Sequence, residues 1–375
     1  MTLFQSINHS RRRPGKKEEE KMAKIPETMK ALVAYSKDKY VLEKAWPTPK
    51  AGAGEIILKV EACGVCAGDV KAKHGADRFW KNFVVPPFIP GHEFIGFIVE
   101  LGKGISGFEI GDRVVSDQIV PCGKCRFCQT GKYWMCEVHD IYGFRPHVNG
   151  GMAEFIRLPA NALTYKVPKE IPVEKAVLIE PYACSKHAVD RAQIGLEDIV
   201  VLSGCGTLGL GMVGVAKLRN PKLLIALDVK DDRLAKAKEF GADLVWNPGK
   251  MDVVKEIKKL TGGYGCDIYI EATGHPLSVN QGMEMIRKLG RFVEFSVFAA
   301  PTTLDWSVIG DQKELDVLGA HLSPYCYPAV IDWIHKDKIG TAGVANKFLP
   351  LEEWEKAFDI AGTGEGGILK VVIKP

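Results

Sequence analysis

The residues with the most chemical promise are four cysteines set close together, Cys122-Gly-Lys-Cys125-Arg-Phe-Cys128 and then Cys136. Four thiolates in so short a span can close a tetrahedral cage around one ion, the geometry of a structural zinc site. An iron–sulfur reading fits less well, because the ferredoxin run has a shorter last gap with a proline after it. A disulfide reading needs an oxidising compartment, and nothing else in the sequence points to secretion. A closed cage is scaffolding, so reactivity must come from other ligand-type residues. Three segments carry them: Cys63-Gly-Val-Cys66-Ala-Gly-Asp69, Pro90-Gly-His92-Glu93-Phe94 and Leu178-Ile-Glu180-Pro181. Singly, each also has a structural explanation as a small buried cysteine, a core histidine or a helix cap.

A third constellation is Gly204-Cys-Gly206-Thr207-Leu208-Gly209. Such a glycine pattern is weak alone, but here it follows a predicted strand over 199–202 and opens a predicted helix over 208–218. Asp228 ends the next predicted strand. In that setting Gly204 permits a tight turn, Gly206 lets a pyrophosphate approach the backbone, and Gly209 lets helix pack closely on strand. Thr207 and Leu208 belong to the same cofactor-binding turn. Asp228 would accept hydrogen bonds from a ribose 2′-hydroxyl and repel a 2′-phosphate, which favours NAD over NADP. Arg233 could flank the adenosine or simply belong to a charged helix face.

The elements that must hold these groups fall into two rhythms. From about residue 29 to 183, short β-type runs are punctuated by glycine and proline, as in 55–60, 94–100 and 111–115, and predict a β-rich domain. From about 184 to 323, strands (199–202, 223–227, 268–270, 292–295) alternate with helices (208–218, 231–240, 278–289), the pattern of βαβ units in a doubly wound parallel sheet. Residues 324–375 end in a strand-like run over 368–373 and are expected to return to the first domain. No internal repeat is present.

Length and composition agree with a two-domain globular protein: 375 residues, 46% hydrophobic, 26% charged, net charge +4. Part of that charge is Arg11-Arg-Arg13 and Lys16-Lys17, followed at once by Glu18-Glu-Glu20, so residues 1–28 are expected to form a solvated tail. The acidic run argues against a transit peptide and, with no basic helix elsewhere, against a nucleic-acid partner. No apolar run is long enough to span a bilayer, so no membrane partner and a cytoplasmic location are expected.

Taken together, the G-V-C, G-H-E and E-P segments, the cysteine lobe and the nucleotide turn closely resemble the zinc-dependent medium-chain alcohol and polyol dehydrogenases, from about Met29 to the C-terminus. The resemblance implies a GroES-like catalytic domain, a Rossmann cofactor domain and an active site between them. It implies a catalytic zinc held by Cys66, His92 and Glu180, with Glu93 able to approach the metal and Asp69 orienting the histidine. A second, structural zinc would occupy Cys122, Cys125, Cys128 and Cys136. It also implies NAD as cofactor and a homotetramer or homodimer. Within the family, the 74–80, 138–144, 185–192, 261–271 and 315–321 segments are most similar to the branch acting on erythritol and L-threitol. The implied reaction moves hydride from a secondary hydroxyl of a small polyol to NAD⁺.

Tyr142, Phe144, Phe79 and Trp80 are candidate pocket walls, with Tyr142 or Arg145 recognising hydroxyls. L-Threonine 3-dehydrogenase shares the scaffold, a zinc-free quinone reductase lacks the ligand set, and a non-catalytic zinc and nucleotide protein is the remaining alternative. One departure from the family stands out. Gly68 occupies the position where relatives carry the Ser or Thr that takes the alcohol proton, and Lys71 stands where many have a relay histidine.

Overall fold

The computed structural model describes residues 25–76, 80–81, 83–298 and 300–375. The expected tail therefore lies outside the described residues up to position 24, and so does Phe79. Thr28, assigned above to that tail, instead opens the strand Thr28–Ser36.

The catalytic domain is built on a mixed sheet. Its strands run in the order Ala345–Pro350, Lys370–Lys374, Ile56–Gly64, Glu93–Leu101, Arg113–Ser116 and Thr164–Lys166, and Phe155–Leu158 also pairs with Ile56–Gly64. Ile56–Gly64 is buried along most of its length because both faces are covered. Ile57, Leu58, Phe94, Ile98, Ile156 and Val371 share one core around it. The last strand of the chain lies antiparallel to the end of Ile56–Gly64, with Val372 opposite Gly64 and Ile373 opposite Cys63. The C-terminus is thereby laid beside the segment that carries Cys66.

The cofactor domain is a six-stranded sheet. Its strands are β1 (Ile199–Ser203), β2 (Leu223–Leu227), β3 (Leu244–Trp246), β4 (Cys266–Glu271), β5 (Ile286–Glu294) and β6 (Asp316–Gly319), paired in parallel in the order β3-β2-β1-β4-β5-β6. β1 and β2 read as near-continuous apolar runs, as strands with helices on both faces do. The order reverses between β1 and β4, and in such sheets ligands bind at the carboxyl ends near the reversal.

Two sequence expectations need correction. The helix expected over 278–289 runs only from Pro276 to Met285, and β5 starts at Ile286. Ile286 is buried and pairs with Cys266, Leu289 has a positive φ, and the Arg287 guanidinium bonds the Lys288 and Leu289 carbonyls, so Gly290 lies within the strand instead of ending a helix. The division between 183 and 184 falls inside one continuous helix, Ile179–Ala192, whose first turn carries Glu180. Among the described residues, no helix is long and apolar enough to cross a membrane.

Candidate active site

Cys66 is the N-cap of the helix Ala67–Lys73. Its Sγ accepts from the Gly68 N–H at 3.4 Å, while its own N–H donates to Asp69 Oδ2 at 3.0 Å, a reciprocal cap that fixes the thiol at the helix mouth. His92 immediately precedes the strand Glu93–Leu101. Its ring stacks on Phe144 with centroids 5.7 Å apart. Its Nδ1 faces Asp69 Oδ1 at 3.7 Å, too far for a hydrogen bond, and both atoms are buried without a partner. With Nδ1 turned to a carboxylate, the other ring nitrogen is left to bind a metal, the arrangement that orients histidine ligands. Ligand atoms of Cys66, His92 and Glu93 lie within 4.8 Å of one another.

Glu93 has a partner that sequence reading missed. Lys370, on the C-terminal strand, donates to both carboxylate oxygens at 2.7 and 2.6 Å and to the Val65 carbonyl at 3.2 Å, and both side chains are buried. Burial alone would lower the Lys370 pKa, but Glu93 overrides it and the ammonium is held above its ordinary value. A lysine inside an apolar terminal strand was the signal available in the sequence. Glu180 is also buried but stands outside the cluster of ligand atoms; the Cys184 thiol donates to its Oε1 at 3.6 Å. Burial, opposed in part by His92 and reinforced by Glu93 and Cys66, pushes its carboxyl well above the usual range. Burial likewise raises Asp69, and pushes the Cys66 thiol up to about 12. Three buried carboxyl groups and a thiol thus face one ammonium. A divalent cation between Cys66 and His92 would offset that excess of acidic groups, so the donor set and its electrostatics fit zinc.

At the cofactor sheet, the glycine turn follows β1. Gly204 has φ +101°, and a Cβ on Gly209 would lie 1.8 Å from the Gly204 carbonyl oxygen, so neither position tolerates a side chain. Gly206 caps the helix Thr207–Leu218 with no side-chain hydrogen bond, leaving the first-turn N–H groups for an anion. Asp228 follows β2 and is fixed from two sides: Oδ2 accepts from Cys205 N at 2.8 Å and Oδ1 from Lys230 N at 2.9 Å. Arg233 Nη1 is 3.9 Å from Asp228. Thr207 donates its hydroxyl to the Leu369 carbonyl at 2.9 Å, so its side chain ties the turn to the returning chain. Leu208 packs on the core, and its carbonyl accepts from Ser185 Oγ.

Lys71 does not point at the metal-type cluster. Its Nζ reaches across to the cofactor domain and donates to the Val297 carbonyl at 2.7 Å, just past the end of β5. Among the proposed pocket walls, Tyr142 is fully enclosed with its ring edge-on to Phe94, so it belongs to the core and cannot recognise substrate. Trp80 Nε1 donates to the Ala72 carbonyl, and its ring packs near Phe88. Arg145 bonds Asp140 and the Phe83 carbonyl.

In the cysteine lobe, the sulfurs of Cys122, Cys125, Cys128 and Cys136 also lie within 4.8 Å of one another. Cys125 N donates to Cys122 Sγ and Cys122 N to Cys136 Sγ, each at 3.3 Å. Backbone N–H groups of Cys128 and Glu137 lower the Cys125 thiol, while burial raises that of Cys128, so the case for a metal here rests on the four converging sulfurs. All ten cysteines are free of disulfides. Tyr133 anchors the lobe: its hydroxyl donates to Asp117 Oδ2 at 2.8 Å and accepts from Tyr325 N at 3.0 Å.

Comparison with known proteins gives two domain matches, to the alcohol dehydrogenase GroES-like domain over residues 52–169 and to the zinc-binding dehydrogenase domain over 207–336. The chain is 47% identical to an erythritol/L-threitol dehydrogenase of Mycolicibacterium smegmatis, covering 94% of this chain and 99% of that one. It is 32% identical to a sorbitol dehydrogenase of Halalkalibacterium halodurans over 89% of this chain and 95% of the other. A solved zinc-binding dehydrogenase from Sinorhizobium meliloti, bound to NADP, superposes with a TM-score of 0.84 at 27% identity, covering 93% of this chain and 99% of that one.

Proposed function

We propose the reaction from one fact: the chain belongs to the zinc-dependent medium-chain alcohol and polyol dehydrogenases. It oxidises a secondary hydroxyl of a small polyol to a ketone, with NAD⁺ as hydride acceptor. Erythritol or threitol is the substrate favoured by the 47% identical relative, whose name specifies those two tetritols.

The order of strands sets the direction of the cofactor. Asp228, after β2, takes the adenosine ribose, and the turn after β1 takes the pyrophosphate on the free N–H groups of its helix. The nicotinamide end must therefore run past β4 towards the carboxyl ends of β5 and β6. That is where Lys71 joins the Cys66 helix to Val297, which sets the segment carrying Cys66 beside that end of the cofactor sheet.

Cys66 and His92 would hold the catalytic zinc, with Glu180 or Glu93 offering a carboxylate. When bound, the ion supplies the Lewis acidity that makes an alcohol hydroxyl easier to deprotonate. The Phe144 ring sets the plane of His92, and Asp69 would orient its Nδ1 once the two close to hydrogen-bond distance. The Lys370–Glu93 pair holds the Glu93 carboxylate in place inside the protein, and a bound NAD⁺ would supply the hydride acceptor. Cys122, Cys125, Cys128 and Cys136 would hold a second, structural zinc.

The test is reduction of NAD⁺ by the purified protein with erythritol, L-threitol, sorbitol, L-threonine and 2-butanol in parallel. Tetritols should give the highest kcat/KM. Faster turnover of L-threonine than of any polyol would replace this reading with that of a threonine dehydrogenase.

A further inference from the structure

We propose that Gln118 and Cys184 are positioning residues that aim the Glu180 carboxylate at the metal centre through a one-way chain of hydrogen bonds; the inference rests on the zinc dehydrogenase reading above and deepens it. Cys184 stands one turn after Glu180 on the helix Ile179–Ala192, so the two side chains share a face, and the thiol donates to Glu180 Oε1 at 3.6 Å. Cys184 Sγ in turn accepts from Gln118 Nε2 at 3.2 Å. Gln118 Oε1 accepts from two hydroxyls, Ser323 Oγ at 2.8 Å and that of Tyr327 at 3.2 Å. Two donors converging on one oxygen settle which way the amide points. Its NH₂ group then faces Cys184, and the thiol proton is directed to Glu180.

All five groups are buried. Polar side chains withdrawn from water are costly unless paired, and here each donor points the same way, so their dipoles reinforce one another in the interior and end on the carboxylate. The chain draws on three parts of the fold. Gln118 lies between the strands Arg113–Ser116 and Ile119–Val120, and its carbonyl accepts from Tyr142 N at 3.0 Å, which fixes its backbone. Ser323 and Tyr327 belong to the segment that returns from the cofactor sheet, Tyr327 opening the helix Tyr327–His335. Among the described residues, Oε1 alone of the two Glu180 carboxylate oxygens accepts a hydrogen bond. Glu93 differs, because Lys370 takes both of its oxygens. Glu180 is therefore the carboxylate with one oxygen held and the other to spare for a cation.

The experiment follows zinc release from the holoenzyme into excess EDTA, which separates the two ions; the catalytic phase is the one missing from Cys66→Ser. Cys184→Ala breaks the chain, and Gln118→Met keeps the length of the side chain without its amide. Each should speed the catalytic phase about 10- to 100-fold and leave the phase of the cysteine lobe unchanged. Cys184→Ser, whose hydroxyl both accepts and donates, should release zinc at close to the wild-type rate. Where Gln118→Met does not fold, the two Cys184 variants decide. An unchanged or slower catalytic phase in Cys184→Ala, equal acceleration of both phases, or a serine variant that behaves like the alanine one would overturn the chain. A wild type that loads both ions but oxidises no polyol would overturn the substrate reading alone, and the release rates would still decide the chain. A wild type that loads no ion at Cys66 would overturn both.

Discussion

Lys370 and Glu93, 277 residues apart in the chain, form a buried ion pair in which one ammonium bridges both carboxylate oxygens. The strand that closes the catalytic sheet thus also supplies the counter-charge for the candidate active site, so the site is complete only when the C-terminus is in place.

Breaking this pair should be costly. Lys370→Met leaves the buried Glu93 carboxyl group without its partner, beside two other buried carboxyl groups, and about 3–5 kcal/mol of stability should be lost. Adding Glu93→Gln to that variant should recover a large part, since the buried charge goes too. Urea unfolding of the wild type, the single and the double variant measures both numbers; additive losses would contradict the pairing.

Asp228→Ala should narrow the choice of cofactor. The wild type is expected to use NAD⁺ better than NADP⁺, and removing the carboxylate deletes both the ribose acceptor and the repulsion of a 2′-phosphate. It also leaves Arg233, 3.9 Å away, free to meet that phosphate. The kcat/KM ratio of NAD⁺ to NADP⁺ should fall about 10- to 100-fold. A wild type that already prefers NADP⁺, as the NADP-bound neighbour leaves open to test, would show that Asp228 does not face the ribose.

Gly68→Ser should raise turnover near neutral pH. Gly68 lies in the first turn of the helix Ala67–Lys73, a helical position that accepts serine without left-handed strain. The wild type has no hydroxyl there to take the alcohol proton, which then leaves through water or a neighbouring acidic side chain such as Glu93 or Glu180, or on the Lys71 side, and the rate should lean on alkaline pH. The hydroxyl should move the rising limb of the pH–rate profile to lower pH. Identical profiles, with equal metal content, would show that proton removal does not pass this position.

What could be read from the chain alone was local. The glycine turn, the acidic residue after the next strand and the four cysteines are each set by spacing within one or two neighbouring elements, and βαβ alternation follows from periodicity. Contacts between distant segments were not legible. Lys370 meets Glu93, Lys71 meets Val297, and Gln118 meets Cys184 only because sheet order and domain docking bring them together. The helix expected to run to 289 failed for a related reason: pairing of Ile286 with Cys266 overrides local helical pattern. Tyr142 looked like a pocket wall because aromatic residues near a site read alike in sequence, whether they face the cleft or the core.

The central claim is that Cys66 and His92 form the metal centre of catalysis, separate from the cysteine lobe. The direct measurement is zinc content alongside NAD⁺-dependent tetritol oxidation for the wild type, Cys66→Ser and Cys125→Ser. The wild type should carry two zinc ions per chain, one for each cluster of ligand residues. Cys66→Ser should keep one ion and its fold but lose turnover, whereas Cys125→Ser should lose thermal stability. One zinc ion per wild-type chain with full activity, or a Cys66→Ser variant that turns over normally, would contradict the account.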